Sequence, residues 1–319
     1  MDTSEFIGEA WRQHYLSVSE QRFNCFNPHA KRGNLKLYRF NVINKSGFIL
    51  DEPEKVKAES SYFDIDLFTF KLLDRSNRKN YENLFNQFED HIVSLTEKIL
   101  KEVKLKNNFL GQEIFHLFII KLTNLIKNPK SIKHTLDIFN GLLRYRFKNE
   151  EIDRILSEVK NPINPALNHI CKKYSISESE YKDWLNIIFS LFVNIDGKQI
   201  YQQILKDIFE NPSISISVKI YCFDEESCLL SDLGYTKPNI HDDALCFDFN
   251  ISSTCFIRYI FYSGNNRSLN PHLKECGLKI IFNCYESLSS YNKIVIKQCD
   301  KYVYNSMSSV YFSDISCPD

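Results

Sequence analysis

The chain has 319 residues, of which 43% are hydrophobic and 25% charged, and its formal net charge at neutral pH is zero. This composition excludes an intrinsically disordered chain, and the zero net charge excludes a general attraction to nucleic acid or anionic lipid. The length suffices for one large domain or two modest ones. No apolar run approaches the roughly 20 residues of a membrane span, so we expect no membrane association.

The N-terminus and the cysteines bear on the compartment. The first ten residues contain three acids and lack the apolar core of a signal peptide. The ten cysteines include no pair spaced Cys-x-x-Cys, which disfavours a zinc ribbon or a thioredoxin-like motif. We therefore expect a cytoplasmic protein whose cysteines are reduced thiols.

Residues 1–76 predict strands. Leu35–Phe40 alternates between apolar and polar residues, as a half-buried strand does. The turn Lys45-Ser46-Gly47 follows, so Phe48–Leu50 is expected to pair back as a hairpin. We expect this N-terminal segment to join the C-terminal sheet.

Residues 77–212 predict a helical region. Apolar residues recur at spacings of three and four from Tyr81 to Ile99, which indicates an amphipathic helix. Ile114–Ile126 is apolar nearly all round and is typical of a buried helix. Ser177-x-x-Glu180 is a capping box and predicts a helix start.

Residues 213–319 predict a β-rich region with a closing helix. Ile214–Cys222 alternates with a period of two, and three further segments have strand-like patterns. Helical spacing returns from Tyr291 to Tyr302. The predicted class is therefore α+β, with N-terminal strands, a large helical middle region and a mainly antiparallel C-terminal sheet. The three further strand segments are Leu245–Phe249, Cys255–Tyr262 and Leu278–Cys284.

Charge is unevenly distributed. Lys98–Lys148 contains eleven basic and three acidic residues, whereas Phe223–Phe256 contains seven acids and one lysine. One interpretation is a basic helical face that binds a phosphate backbone. The other is that the basic helices are ordinary solvated helices or face the acidic loops. The sequence leaves both open.

Short motifs offer few candidates for chemistry. The P-loop, the dinucleotide-binding, serine-hydrolase and zinc-protease motifs are absent from the sequence. Glu113-x-x-His116 has the spacing of a helical metal-binding pair, but an ordinary helix has it as well. Ser231 and Asp232 are residue types that favour a β-turn, although an aspartate at a strand end can also bind Mg²⁺ or act as a general base.

Five segments of the chain form a recognisable series: Gln13-His14-Tyr15-Leu16, Leu35–Phe40, the helix with Glu89, Leu230-Ser231-Asp232-Leu233 and Tyr302-Val303-Tyr304. In this order they resemble a bacterial family known as domain of unknown function 4238. Where the family has Asn-Pro after its Ser-Asp pair, this chain has Leu233-Gly234, which puts the role of that turn in doubt. The resemblance implies functional roles for His14, Ser231 and Asp232, and a cytoplasmic accessory protein of the kind found among mobile and phage-defence genes.

These observations support two main hypotheses. In the first, the protein is a metal-dependent hydrolase, such as a nuclease-like effector. Asp232 and His14 would hold Mg²⁺ or Mn²⁺, Ser231 and Glu89 would complete the catalytic set, and Lys98–Lys148 would hold nucleic acid.

In the second hypothesis the protein is a non-catalytic interaction or regulatory subunit, with a protein partner or a further copy of itself. His14 and Asp232 would then be structural, and aromatic residues would contribute to an interface. A third reading, weaker than these two, is an anion-binding protein without turnover.

Overall fold

The structure is a computed structural model, and it describes residues 6–7, 10–72, 78–107, 110–145, 149–195, 197–241, 244–263 and 277–312. Helices and antiparallel strand pairs both occur throughout this part of the chain, so the predicted α+β class is confirmed. Arg146, Phe147 and Lys148, at the end of the predicted basic stretch, lie outside the described residues.

Most helices lie between residues 82 and 210. The helices of the described residues are α1 Val18–Gln21, α2 Glu82–Glu89, α3 Ile92–Lys104, α4 Gly111–Lys127, α5 Ile132–Phe139, α6 Glu150–Lys160, α7 Leu167–Tyr174, α8 Glu178–Phe192, α9 Ile200–Glu210 and α10 Tyr285–Gln298.

The strands lie on both sides of the helical region in sequence. They are β1 Arg12–His14, β2 Lys36–Asn44, β3 Ile49–Leu50, β4 Glu54–Lys57, β5 Phe63–Ile65, β6 Thr69–Leu72, β7 Arg78–Asn80, β8 Ile214–Cys222, β9 Leu230–Ser231, β10 Asn239–His241, β11 Ala244–Ser252, β12 Cys255–Ser263, β13 Gly277–Phe282 and β14 Tyr302–Asn305.

The chain forms two compact units that alternate along the sequence. The first unit takes residues 1–16, 63–91 and 122–207, and the second takes residues 17–62, 92–121 and 208–319. The three segments expected from the sequence, 1–76, 77–212 and 213–319, are consecutive, whereas each unit assembles three separated stretches.

The first unit has an aromatic core. Trp184 on α8 is fully buried, and its indole N–H donates to the Ile126 carbonyl at 2.9 Å. The Tyr81 hydroxyl donates to the Leu185 carbonyl at 3.2 Å, which satisfies another polar group inside the core. Two antiparallel pairs, β1 with β5 and β6 with β7, flank this core. Its other large buried rings are Phe6, Phe68, Phe70, Phe85, Phe88, Tyr181, Phe189, Phe192 and Tyr201.

The second unit contains two sheets. The larger has the strand order β10-β11-β12-β8-β13, in which only the β13–β8 pair is parallel. The smaller has the order β3-β2-β14-β9, and β4 also pairs with β2. An N-terminal strand, β2, therefore shares a sheet with β14 and β9 from the C-terminal part of the chain.

Helices cover both faces of the larger sheet. Phe118 on α4 contacts four aromatic rings on one face, with ring centroids 4.8–5.9 Å apart. On the other face Tyr291 of α10 stacks on Phe256 of β12 at 4.2 Å. The same core cluster includes Phe40 and Val303 of the smaller sheet, so α10 packs between the two sheets.

Most predicted elements are confirmed, with two corrections. The capping box of α8 is present, and the β2–β3 hairpin forms. The single helix expected from Tyr81 to Ile99 is two helices, α2 and α3. The apolar spacing stays in phase across the break, so the sequence pattern does not reveal it. The closing helix ends at Gln298, and Tyr302 belongs to a strand.

Among the described residues, no helix is both long enough and apolar enough to cross a membrane.

Candidate functional site

Ser231 and Asp232 form a buried turn in the second unit. The Asp232 carboxylate accepts three backbone N–H bonds: Asp300 N to Oδ1 at 2.8 Å, and Lys301 N and Tyr302 N to Oδ2 at 2.8 and 3.0 Å. The side chain is only 3% exposed. Three of the roughly four acceptor positions of this carboxylate are therefore occupied by the backbone that joins α10 to β14.

The hydroxyl and the carbonyl of Ser231 are also engaged in local hydrogen bonds. Its Oγ accepts a hydrogen bond from the Leu233 N–H at 3.1 Å, and its carbonyl accepts one from the Gly234 N–H at 2.8 Å. Gly234 has a φ of 75°, which favours glycine at this position of the turn. The Tyr62 hydroxyl donates to the same carbonyl at 2.8 Å. The turn is therefore held on both sides by buried hydrogen bonds.

Glu89 lies in the first unit, at the end of α2, and pairs with Lys127. The Lys127 ammonium is fully buried, donates to Glu89 Oε1 and lies 4.3 Å from the ring centroid of Phe85. Burial raises the pKa of the nearby Glu82 to about 7; Lys127 opposes this rise and Glu89 adds to it. Glu82 Oε1 is buried without a hydrogen-bond partner. This cluster places two carboxyl groups around one buried ammonium.

His14 lies on β1 of the first unit, directly opposite Phe63 of β5. Its ring is half-buried, and its centroid is 5.5 Å from that of Phe63. His14 and Glu89 belong to the first unit, whereas Ser231 and Asp232 belong to the second. The convergence of these four residues on one site stays a prediction.

The expected divalent metal also stays a prediction. In the part of the chain that the structure describes, no group of three or more His, Cys, Asp or Glu side chains could hold a metal ion. The Glu113 carboxylate, one half of the helical Glu113-x-x-His116 motif, accepts a hydrogen bond from Lys98 Nζ at 2.5 Å. That bond is the largest of the effects that lower the pKa of Glu113.

The basic stretch 98–148 is not a uniform cationic surface. Besides Lys98, two of its lysines form ion pairs inside the protein, Lys121 with Glu20 and Lys127 with Glu89. Lys121 and Glu20 are 3% and 5% exposed. Three positive charges counted from the sequence are therefore neutralised by carboxylates of the same unit.

A polar cluster that sequence analysis missed surrounds Asp64 on β5. Its buried carboxylate accepts hydrogen bonds from Lys173 Nζ and the Tyr174 hydroxyl, each at 2.9 Å. His169 Nε2 lies 3.9 Å from the same carboxylate. The contacts fasten α7 to β5. No local sequence pattern predicts these contacts, because the partners lie more than 100 residues apart in sequence.

A row of charged side chains crosses the larger sheet of the second unit. Asp248 on β11, Arg258 on β12, Lys219 on β8 and Lys279 on β13 occupy directly paired positions. Directly paired residues present their side chains on the same face of a sheet. Each strand carries one charge within an apolar pattern, so the row becomes visible only when the strand order is known.

Comparison with known proteins gives no match: no protein-family model, no curated protein and no solved structure is similar to this chain. The resemblance to the family of unknown function therefore stays a prediction.

Proposed function

We propose that the protein is a non-catalytic interaction module, a regulatory or structural subunit that works by binding. The observation that carries the proposal is the hydrogen bonding of the buried Asp232 carboxylate. A carboxylate that is buried and accepts three backbone N–H bonds has little capacity left to hold a catalytic metal, which needs free oxygen ligands. Its bonds instead fix the turn between α10 and β14.

The surroundings of Glu89 also support a structural role. Removing the carboxylate that neutralises a buried ammonium leaves an uncompensated charge. Glu89 is therefore needed to neutralise Lys127. It would have to release Lys127 before it could bind a metal or act on a substrate.

A surface suited to a protein partner lies on the β1–β5 pair of the first unit. Trp11 and Ile65 are 48% and 43% exposed. The Arg12 guanidinium lies 4.9 Å from the Trp11 ring and 5.2 Å from the Phe63 ring. Tryptophan and arginine are enriched among residues that dominate binding energy. His14 lies two residues after Arg12 on β1, so its side chain is on the same face of the strand and would contribute to this surface.

The biological setting is part of the proposal. The resemblance to the bacterial family of unknown function suggests an accessory protein of phage-defence or mobile-element systems, located in the cytoplasm.

A cleavage assay tests the proposal against a metal-dependent hydrolase. Purified wild type, His14→Gln and Asp232→Asn would be incubated with plasmid DNA and with RNA, in an excess of Mg²⁺ or Mn²⁺ and, as a control, in EDTA. We expect no cleavage by any of them, and a lower Tm for Asp232→Asn. Metal-dependent cleavage that Asp232→Asn abolishes at an unchanged Tm would overturn the proposal.

A further inference from the structure

Two cysteines of the larger sheet lie directly opposite each other where two of its strands end. Cys222 is the last residue of β8, Cys255 is the first residue of β12, and the two are paired across the antiparallel ladder. Directly paired residues present their side chains on the same face of a sheet. The two Sγ atoms lie 2.6 Å apart, so the thiols are in direct contact.

The backbone at this pair suits a disulfide. In the next pair outward in the same register, the Phe223 N–H donates to the Thr254 carbonyl at 2.9 Å. Hydrogen-bonded and non-hydrogen-bonded pairs alternate along an antiparallel ladder, so Cys222 and Cys255 form a non-hydrogen-bonded pair, whose Cα atoms are typically about 4.5 Å apart. Disulfides span Cα separations of about 4.4–6.8 Å. The bond therefore fits between the strands as they stand.

The two thiols differ in their access to solvent. Cys222 is half-buried, and its neighbour on the other side, Phe282 of β13, is 38% exposed. Cys255 is only 1% exposed. Burial raises the pKa of Cys255 well above its ordinary value, and the contact with Cys222 adds to this rise. A small oxidant therefore meets the Cys222 sulfur first, while Cys255 stays a protonated thiol beside it.

We infer that Cys222 and Cys255 form a reversible disulfide when the protein meets a hydroperoxide such as hydrogen peroxide. The Cys222 sulfur attacks one peroxide oxygen, the O–O bond breaks, and the other oxygen leaves with the thiol proton as water, which gives a sulfenic acid on Cys222. The Cys255 sulfur then attacks the Cys222 sulfur. The S–S bond forms, the S–O bond breaks, and the hydroxyl leaves with the Cys255 proton as a second water.

In this sequence the two thiols together lose two electrons, and the peroxide gains them. A dithiol reductant reverses the modification by thiol–disulfide exchange. The inference goes beyond the proposed function, since an oxidant-sensitive bond in the second unit depends neither on a partner nor on the absence of catalysis.

The bond would stabilise the second unit. It closes the chain between the two cysteines, a segment that contains β9, β10, β11 and the Ser231-Asp232 turn. Closing a loop of this kind lowers the conformational entropy of the unfolded chain. We therefore expect the oxidised protein to melt at a Tm higher by roughly 5 °C than the reduced protein.

Peptide mapping tests the inference on the full chain. Reduced wild type would be freed of reductant, treated with an equimolar amount of hydrogen peroxide, unfolded in guanidinium chloride with N-ethylmaleimide to block the remaining thiols, and digested with trypsin and Asp-N. Cleavage before Asp224, Asp232 and Asp248 places the four cysteines of this region on separate peptides, so each linkage has its own mass. These cysteines are Cys222, Cys228, Cys246 and Cys255.

We expect one dominant pair of peptides, joined through Cys222 and Cys255, with a mass about 2 Da below the sum of the two reduced peptides. Dithiothreitol should separate them. Dominant linkage through any other cysteine would overturn the inference. So would the absence of a linked pair, whether Cys222 is then recovered as a free thiol or as a sulfinic acid. This measurement uses wild type, so it does not depend on whether a variant folds.

The variant Cys222→Ser should lose both the linked peptides and the rise in Tm on oxidation. The matched control is Cys171→Ser, which removes another half-buried thiol from α7 of the first unit and should retain both. A rise in Tm that persists in Cys222→Ser, or that Cys171→Ser abolishes, would contradict the assignment to this pair. An unchanged Tm in fully linked wild type would overturn the stabilising effect of the bond.

Discussion

Two lysines of the helical region carry their charge inside the protein. The side chains of Lys121 and Lys127 are 3% and 0% exposed, and each ammonium pairs with one carboxylate. Such pairs add little net stability compared with apolar residues, but removing one partner leaves the other charge buried and uncompensated. The pairs therefore act as constraints on which residues can meet in each core.

The Lys121–Glu20 pair gives a first prediction. Glu20→Gln alone should reduce the free energy of unfolding by about 3–5 kcal/mol, since it leaves the Lys121 ammonium buried without a counter-charge. The double variant Glu20→Gln/Lys121→Met should recover much of that loss. Urea denaturation monitored by circular dichroism measures both, and a double variant no more stable than the single one would contradict this explanation.

Glu82 gives a prediction in pH. Its pKa of about 7 in the folded protein lies above the ordinary value of 4.5, so the folded state binds the proton more tightly than the unfolded state. This group's contribution is present below about pH 4.5 and is lost as the pH rises through 7. The charged groups facing it are Lys127 and Glu89.

Glu82→Gln should therefore match wild type in stability at pH 5 and exceed it at pH 8, by an amount on the order of 2 kcal/mol. Thermal denaturation of both proteins across this range measures the difference. A constant difference between them at every pH would show that Glu82 does not titrate abnormally.

Asp232 gives a third prediction. Asp232→Asn replaces one acceptor oxygen by an amide donor, so at least one of the N–H groups of Asp300, Lys301 and Tyr302 loses its acceptor. Hydrogen bonds to charged groups contribute about 1.5–3 kcal/mol, so we expect a loss of about 2–4 kcal/mol. Asp137→Asn, on an exposed position of α5, serves as the control and should change the Tm little.

At the scale of elements, α10 matters most to the second unit, because it packs on both sheets. Tyr291 stacks on Phe256, and its hydroxyl donates to the Leu229 carbonyl at 3.0 Å. Tyr291→Ala should cost about 3–5 kcal/mol, as deletion of a buried ring does. Tyr291→Phe removes only the hydrogen bond and should cost about 1 kcal/mol. Equal losses in urea denaturation would argue against the stacking contribution.

Local patterns explain which elements could be predicted from sequence. The capping box of α8 and the alternating pattern of β8 depend on residues close together in sequence, so both elements could be predicted. The start of β14 depends on Asp232, about 70 residues away, which takes the N–H groups that a continuing helix would need. Helical spacing in the sequence alone therefore extended the closing helix too far.

The candidate sites show the same difference between local features, which the sequence predicts, and distant partners, which it does not. The turn at Ser231-Asp232 was recognisable from its residue types, but the partners of its carboxylate were not. Lys121 and Lys127 counted as a basic surface in the sequence because their acids lie 101 and 38 residues away. The row through Lys219 needs the order of three strands, which no short pattern contains.

For the whole molecule, the balance of 40 basic and 40 acidic residues conceals strong local differences. Buried pairs consume some charges, while the row on the larger sheet leaves cations unbalanced. The net charge of this protein is therefore a poor guide to the local charge of any one of its surfaces.

The position of β2 between β3 and β14 affects how the protein is made. Residues 36–44 leave the ribosome well before residues 302–305, the strand that completes their sheet, have been synthesised. During synthesis β2 keeps an open hydrogen-bonding edge, and nascent chains with such edges are prone to misassociate. Production of this protein should thus depend on chaperone supply and translation speed more than its final stability suggests.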